Sequence, residues 1–126
     1  MRKIVLVLVF LLIPVVAYAG YAIVSWTAPT TWSDGAPLTT ITGYNVYYGN
    51  THLGPYPNKV SVGNVTTTTI NNIGNGTWYF TVTTLATNLS GSVVESAYST
   101  EASKVIDDRV PNPPTSISVI TGVGVK

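Results

Sequence analysis

The sequence has 126 residues, which is long enough for one domain with one hydrophobic core. Only 9 % of the residues are charged and the formal net charge is +1, so there is no basic field to attract nucleic acid or anionic lipid. The sequence contains no cysteine, which excludes a disulfide framework and any thiolate-ligated metal site.

Residues 1–19 are predicted to be a secretory signal peptide. The segment starts with basic residues, continues with an apolar run over residues 4–16 and ends with a small-x-small cleavage site, Ala17-Tyr18-Ala19. We therefore expect the mature chain to be secreted into the periplasm, to the cell surface or to the medium. An uncleaved membrane anchor is the alternative, although the apolar run is short of the ~20 residues that a spanning helix needs.

The composition of the mature chain predicts an all-β fold, because Thr, Val, Tyr and Gly are abundant and strong helix formers are scarce. Turn signals such as Ser33-Asp34-Gly35 separate runs of β-branched and aromatic residues. In chain order, the predicted strands lie in residues 20–27, 41–49, 59–62, 65–71, 77–85 and 93–106. About six short strands at this spacing are typical of a β-sandwich.

The strand at residues 41–49 is predicted to be the centre of the fold. Side chains alternate along a strand, so Tyr44, Val46 and Tyr48 share one face, and Asn45 and Tyr47 share the other. The same alternation applied to the other strands predicts a core that contains Val24, Trp26, Tyr44, Val46, Trp78, Phe80 and Val82.

Four runs, in this order and spacing, resemble a fibronectin type III domain of the kind found in secreted bacterial proteins: Trp26-Thr27-Ala28-Pro29, Gly43-Tyr44-Asn45-Val46, Gly76-Thr77-Trp78-Tyr79-Phe80-Thr81-Val82 and Glu95-Ser96-Ala97-Tyr98-Ser99. The resemblance covers residues 20–106. It implies an immunoglobulin-like sandwich of seven strands, with strands A, B and E facing strands C, C′, F and G. It also implies that Trp26 is the buried tryptophan of strand B and packs on Tyr44 and Val46.

The resemblance fails at two places. The family has an inward-facing corner tyrosine at the start of strand F, bonded back to the preceding turn. Here the register of the core face predicts Trp78 inward and Tyr79 on the outer face. The family also begins with a strand A, and in this sequence the leader occupies that place. The first strand is therefore missing from the mature chain, but the Pro-rich run at residues 110–120 resembles the opening of such a domain.

The tail, residues 107–126, has three interpretations. Its strand at 115–120 could be donated to the next subunit, which would make a head-to-tail filament. It could be a disordered linker or the stub of a truncated larger protein, or it could fold back on the last strand of its own chain. Insertion beside residues 20–27 of its own chain in the usual direction is disfavoured. Residues 107–113 span at most ~23 Å, whereas a strand of nine residues covers ~30 Å.

We expect a non-catalytic module without cofactor or metal. His52 is the single histidine, and the acidic residues are too few and too scattered for a recognisable pair. The expected role is adhesion, protein–protein interaction or spacing, with other proteins or copies of itself as partners. The second hypothesis is that the chain is a filament subunit, and the third, weaker hypothesis is that it binds carbohydrate.

Aromatic side chains in loops and on outer faces are the candidates for an interface, because they anchor protein contacts and stack on sugars. The candidate interface residues are Trp32, Tyr47, Tyr56 and Tyr79, together with Ile117 and Val119 of the tail. Ordinary cross-strand pairing, such as Tyr47 beside Tyr79, is the alternative explanation for these aromatic residues.

Overall fold

The computed structural model describes residues 20–124, and the predicted leader lies outside the described residues. The described part contains seven strands: β1 (Gly20–Ser25), β2 (Ile41–Gly49), β3 (Asn58–Val62), β4 (Thr67–Ile73), β5 (Gly76–Thr87), β6 (Val93–Glu95) and β7 (Ala102–Ile106). The predicted all-β class is confirmed. No helix in residues 20–124 has the length and apolar character needed to cross a membrane.

The strands form two antiparallel sheets, consistent with a β-sandwich. β1 pairs with β4 in a two-stranded sheet. The other sheet has five strands in the order β3-β2-β5, with β6 and β7 one after the other along the far edge of β5. β6 pairs with Leu85–Thr87, at one end of β5, and β7 pairs with Gly76–Phe80, at the other end.

The prediction of a single last strand within residues 93–106 is wrong, because this segment contains two separate strands, β6 and β7. Between them, two serine hydroxyls take over ladder hydrogen bonds. Thr84 N donates to Ser96 Oγ and Val82 N donates to Ser99 Oγ, both at 2.9 Å. Side chains that bind the backbone in this way compete with regular pairing, so the segment stays at the edge of β5 without continuing as a strand.

One hydrophobic cluster joins the two sheets. Its buried members come from four strands and the end of a fifth: Ala22, Val46, Ile70, Ile73, Phe80 and Ile106. Tyr44 and Val46 are fully buried, as the alternation along β2 predicts. Tyr48, on the same face, packs against Trp78 and Phe80.

Every residue predicted for the core is at least partly buried, but not all of them are as deeply buried as predicted. Tyr44, Val46 and Phe80 are buried, whereas the other four predicted core residues are only partly buried against the cluster: Val24, Trp26, Trp78 and Val82. Trp26 packs on Tyr44 with 5.2 Å between ring centroids, but it is not the buried tryptophan that was expected. A sheet of two strands covers less of the five-stranded sheet than a complete layer would, and the side chains at its margin keep solvent contact.

The start of β5 follows the predicted register. Trp78 faces the core, and its Nε1 donates to the carbonyl oxygen of Gly74 at 2.8 Å. Trp78 therefore makes a bond back to the preceding turn, as the corner tyrosine does in the family that the sequence resembles. Tyr79 lies on the other face, 5.4 Å from the ring of His52.

Gly43 lies where the register between β2 and β5 shifts. A Cβ added at Gly43 would lie 2.5 Å from the carbonyl oxygen of Val62, which is backbone and cannot rotate away. We predict that Gly43→Ala lowers the free energy of unfolding by about 1–3 kcal/mol, the usual cost of overpacking. Urea denaturation measures the change. The matched control is Gly63→Ala, where a Cβ would meet no atom within 4 Å. Equal stability of the two variants would contradict the close approach at Gly43.

Candidate interaction surfaces

An open groove runs along β1 on the side opposite to β4. It has a volume of about 540 Å³ and is lined by Tyr21–Ser25 of β1, by Phe80 of β5 and by Ala102–Lys104 of β7. Residues from both faces of β1 line it, so the groove exposes the edge of the strand as well as one face. We call this surface, from β1 across to β7, the edge groove.

The opening between the sheets continues beyond both ends of the edge groove. At the beginning of β1, a second cavity of about 470 Å³ shares Tyr21 and Lys104 with it. In the other direction, a third cavity of about 530 Å³ lies over Val82, Thr84 and Ala86, the inward-facing residues that follow Phe80 along β5. The two sheets are therefore open along this whole side of the sandwich.

Backbone N–H groups of β1 point into the edge groove. Trp26 N donates to the carbonyl oxygen of Thr66 at 3.0 Å, so the N–H of Trp26 faces the β4 side. N–H groups alternate in direction along a strand, and the N–H of Val24 therefore also faces β4, while those of Ile23 and Ser25 face the groove. β1 carries no proline and no charged residue, the usual protections of an exposed edge.

The tail is exposed and unpaired in the structure. Residues 110–124 belong to no strand, and the exposed fractions of Ile117 and Val119 are 86 % and 83 %. The two predicted interface residues of the tail are thus in solvent. The tail does not pair with β7, so the interpretation that it folds back on the last strand of its own chain does not describe this structure.

A hydrogen-bond network covers the outer face of the five-stranded sheet, the face turned away from β1 and β4. Glu95 Oε1 accepts hydrogen bonds from Asn45 Nδ2 at 3.0 Å, Tyr47 Oη at 2.6 Å and Thr83 Oγ1 at 2.6 Å. Asn45 Oδ1 in turn accepts a bond from Ser61 Oγ. The hydrogen bonds from Asn45, Thr83 and Tyr47 lower the pKa of Glu95 to about 2.

A second carboxylate fixes the loop between β2 and β3. Glu101 accepts hydrogen bonds from Leu53 N at 2.6 Å and Tyr56 Oη at 2.5 Å, and His52 Nδ1 lies 2.6 Å from its Oε1. Burial alone would raise the pKa of Glu101, but the bonds from Tyr56, His52 and Leu53 outweigh it and lower that pKa. The bond to Glu101 raises the pKa of Tyr56 to about 12.

Three tyrosines form a cluster on this outer face. Tyr47 and Tyr56 both pack edge-on against Tyr98, with ring centroids 5.1 and 5.5 Å away. Tyr98 itself is 56 % exposed, so its ring is held in place and still reaches solvent. The proposed pairing of Tyr47 with Tyr79 is wrong, since Tyr47 lies opposite Thr81 in the register and packs on Tyr98.

The structure brings Tyr47 and Tyr56 together through Tyr98, but it places Trp32 elsewhere. Trp32 is half-buried in the loop between β1 and β2, where its backbone N–H donates to the carbonyl oxygen of Ala36 at 2.8 Å. Its side chain lines a separate cavity together with residues of the loop between β5 and β6, among them Leu89. Tyr98 lies at the centre of the cluster but was not among the predicted interface residues.

No group of three or more His, Asp or Glu residues that could hold a metal ion occurs within residues 20–124. Comparisons with protein-family models, with curated proteins and with solved structures find no match.

The Glu95 network predicts a dependence of stability on pH. The pKa of Glu95 is about 2 in the folded chain, against an ordinary value of 4.5. The ionised carboxylate therefore stabilises the fold above pH 4.5, and this contribution is lost as the pH falls from 4.5 towards 2. Because the side chain is partly exposed, we discount the effect to about 1–2 kcal/mol.

We predict that Glu95→Gln loses this amount of stability at neutral pH and shows a flatter decline between pH 4.5 and 2 than the unchanged chain. Urea denaturation at several pH values measures both quantities. Parallel pH curves for the two proteins would show that the three hydrogen bonds do not stabilise the ionised form.

Proposed function

We propose that this chain is a non-catalytic, secreted β-sandwich module that binds other proteins by accepting an additional strand at the edge of β1. The single observation that carries this proposal is the edge of β1 that no other described strand covers, beside an apolar groove. Strand addition of this kind gains affinity from main-chain hydrogen bonds and specificity from pockets for alternate side chains. The N–H groups of Ile23 and Ser25 supply the former, and Ala22, Val24 and Phe80 line the latter.

We also propose that the module is of the fibronectin type III kind. The pairings β1-β4 and β3-β2-β5-β7 support this, because they correspond to B-E and C′-C-F-G in the expected sandwich. In that correspondence the edge groove occupies the position of strand A. The predicted signal peptide supports a location outside the cytoplasm, where mass spectrometry of the secreted chain would find Gly20 at its amino terminus.

Carbohydrate binding at the tyrosine cluster is a second candidate function. The observation that favours it is Tyr98, whose exposed ring is fixed by two other tyrosines and could stack on a sugar. A glycan screen with the unchanged chain and with Tyr98→Ala tests it. Binding that is lost with Tyr98→Ala would support this function, and binding that is absent or unaffected would remove it.

The edge proposal predicts a specific effect of proline at Ser25. The N–H of Ser25 faces the groove and not β4, so proline there blocks an added strand without removing a bond to β4. We expect Ser25→Pro to weaken association with the chain itself or with cell-surface proteins at least tenfold, or about 1.4 kcal/mol. Surface plasmon resonance with the immobilised full chain measures the association.

The matched control is Ser25→Ala, which also loses the hydroxyl contact with Thr67 but keeps the N–H. We expect Ser25→Ala to bind like the unchanged chain. If Ser25→Pro folds and also binds like the unchanged chain, the edge of β1 is not the binding surface.

A further inference from the structure

We propose, on the basis of the proposed function that β1 accepts a strand, that the strand it accepts is the segment 115–120 of a second copy of this chain. The segment runs antiparallel to β1 in the edge groove, between β1 and β7. Each copy then offers one groove and one tail. Four properties of the described residues support this occupant: where the tail starts, how far it can reach, which side chains alternate along it, and its lack of charge.

The tail leaves the sandwich at the wrong end for its own groove. β7 ends at Ile106, which is adjacent to Gly20 at the beginning of β1: a Cβ on Gly20 would lie 2.3 Å from Ile106 Cγ2. A segment that ran antiparallel to β1 in the same molecule would have to enter at the far end, beside Ser25. The tail would therefore have to travel the length of β1, about 20 Å for six residues, and then reverse.

The connection is too short for that path. Asp108 N donates to Asn75 Oδ1 at 2.9 Å, so the tail is held at the sandwich as far as residue 108. The seven Cα–Cα steps from residue 108 to residue 115 span at most about 25 Å when fully extended. The length of β1 uses about 20 Å of this, and the remainder is too short for a reversal, which takes about four residues. Entry into a second copy needs no reversal, because that copy can be placed with the far end of its groove at the tail of the first.

We propose a register that places the apolar side chains of the tail inside the edge groove. Placing Ser118 opposite Ile23 sets Ile117 opposite Val24 and Val119 opposite Ala22. Ile117 and Val119 then point between the sheets, where Ala22, Val24 and Phe80 line the groove, and Ser118 points outward beside the exposed Ile23. The N–H of Ile23, which faces the groove, then donates a hydrogen bond to the carbonyl oxygen of Ser118.

The tail and the groove are also compatible in charge and in backbone donors. Residues 110–124 contain no charged side chain, and neither does β1, so the two paired strands bring no charge together. Lys104 of β7 is the one charged residue among those that line the groove, and it is exposed, so its ammonium can stay in solvent. The three prolines of the tail lie at positions 111, 113 and 114, before the proposed strand. Every residue of the segment 115–120 therefore keeps an N–H for the ladder.

This contact uses different surfaces on the two partners, so it does not close on itself. A head-to-tail series of copies would result, with the length of the series set by concentration. Other occupants of the groove are the leader, if it is retained, or a strand from a different protein. Sedimentation and mass spectrometry distinguish these occupants from the tail of a second copy.

The first experiment compares two substitutions of the tail in the full chain. Ile117→Asp places a charge on the face that points into the groove, and Ser118→Asp, its neighbour, places the same charge on the outward face. Sedimentation velocity over a range of concentrations measures the assembly. We expect the unchanged chain and Ser118→Asp to form a series of oligomers, and the dissociation constant of Ile117→Asp to be at least tenfold higher.

If the two variants assemble equally, or if the unchanged chain stays monomeric at millimolar concentration, the proposal for the tail is overturned. In that case the proposed function still stands if Ser25→Pro, but not Ser25→Ala, abolishes binding to a different protein. Mass spectrometry of the sedimenting species identifies a retained leader, which together with a monomeric chain would also overturn the proposal.

The second experiment tests the register by cross-linking, since the chain has no cysteine of its own. A chain with Ile23→Cys is mixed with a chain with Ser118→Cys and oxidised. We expect a disulfide-linked pair in high yield, because these positions face each other on the outward side. The matched control replaces Ser118→Cys by Ile117→Cys, which points to the opposite face and should give a several-fold lower yield. Equal yields in the two mixtures would overturn the proposed pairing.

Discussion

In the described part of the chain, β1 forms its backbone ladder on one side only, and this incomplete pairing shapes the rest of the sandwich. Within residues 20–124, β4 is the single partner of β1, so the layer over the five-stranded sheet is two strands wide. The apolar residues at its margin, Val24 and Val82, consequently line openings instead of being sealed in the core. Main-chain donors and apolar side chains thus occur together along one edge, which is the combination that an added strand requires.

The central strand β2 is, by contrast, buried on its inner face and fixed by hydrogen bonds on its outer face. Tyr44 and Val46 are fully buried on its inner face, and Glu95 collects three hydrogen bonds over buried polar groups on its outer face. Glu95 and Glu101 flank the irregular segment between β6 and β7, and each ties that segment to β2 or to the loop after it. The two carboxylates hold in place an edge that the regular ladder does not, and Tyr98 lies between them.

Local sequence patterns predicted which face of its strand each side chain occupies. The features that they did not predict depend on hydrogen bonds between residues far apart in the sequence. The alternation of Tyr44 and Val46 is found as predicted, because a period of two fixes which face each side chain occupies. The break between β6 and β7 depends on Ser96 reaching a backbone N–H of another strand, which no local pattern encodes. The bond of Asn45 to Glu95 likewise joins residues 50 positions apart. Turn signals and alternation also cannot say how much of a core the opposite sheet covers, hence the half-buried Trp26.

The central claim is that the edge of β1 is open in the single molecule and covered when molecules associate. Amide hydrogen exchange of the full chain, followed by NMR at increasing protein concentration, tests it most directly. The N–H of Val24 faces β4 and should exchange slowly at every concentration, whereas those of Ile23 and Ser25 should exchange fast in dilute solution and slowly in concentrated solution. Exchange at Ile23 and Ser25 that does not change with concentration, whether fast or slow throughout, would contradict the account.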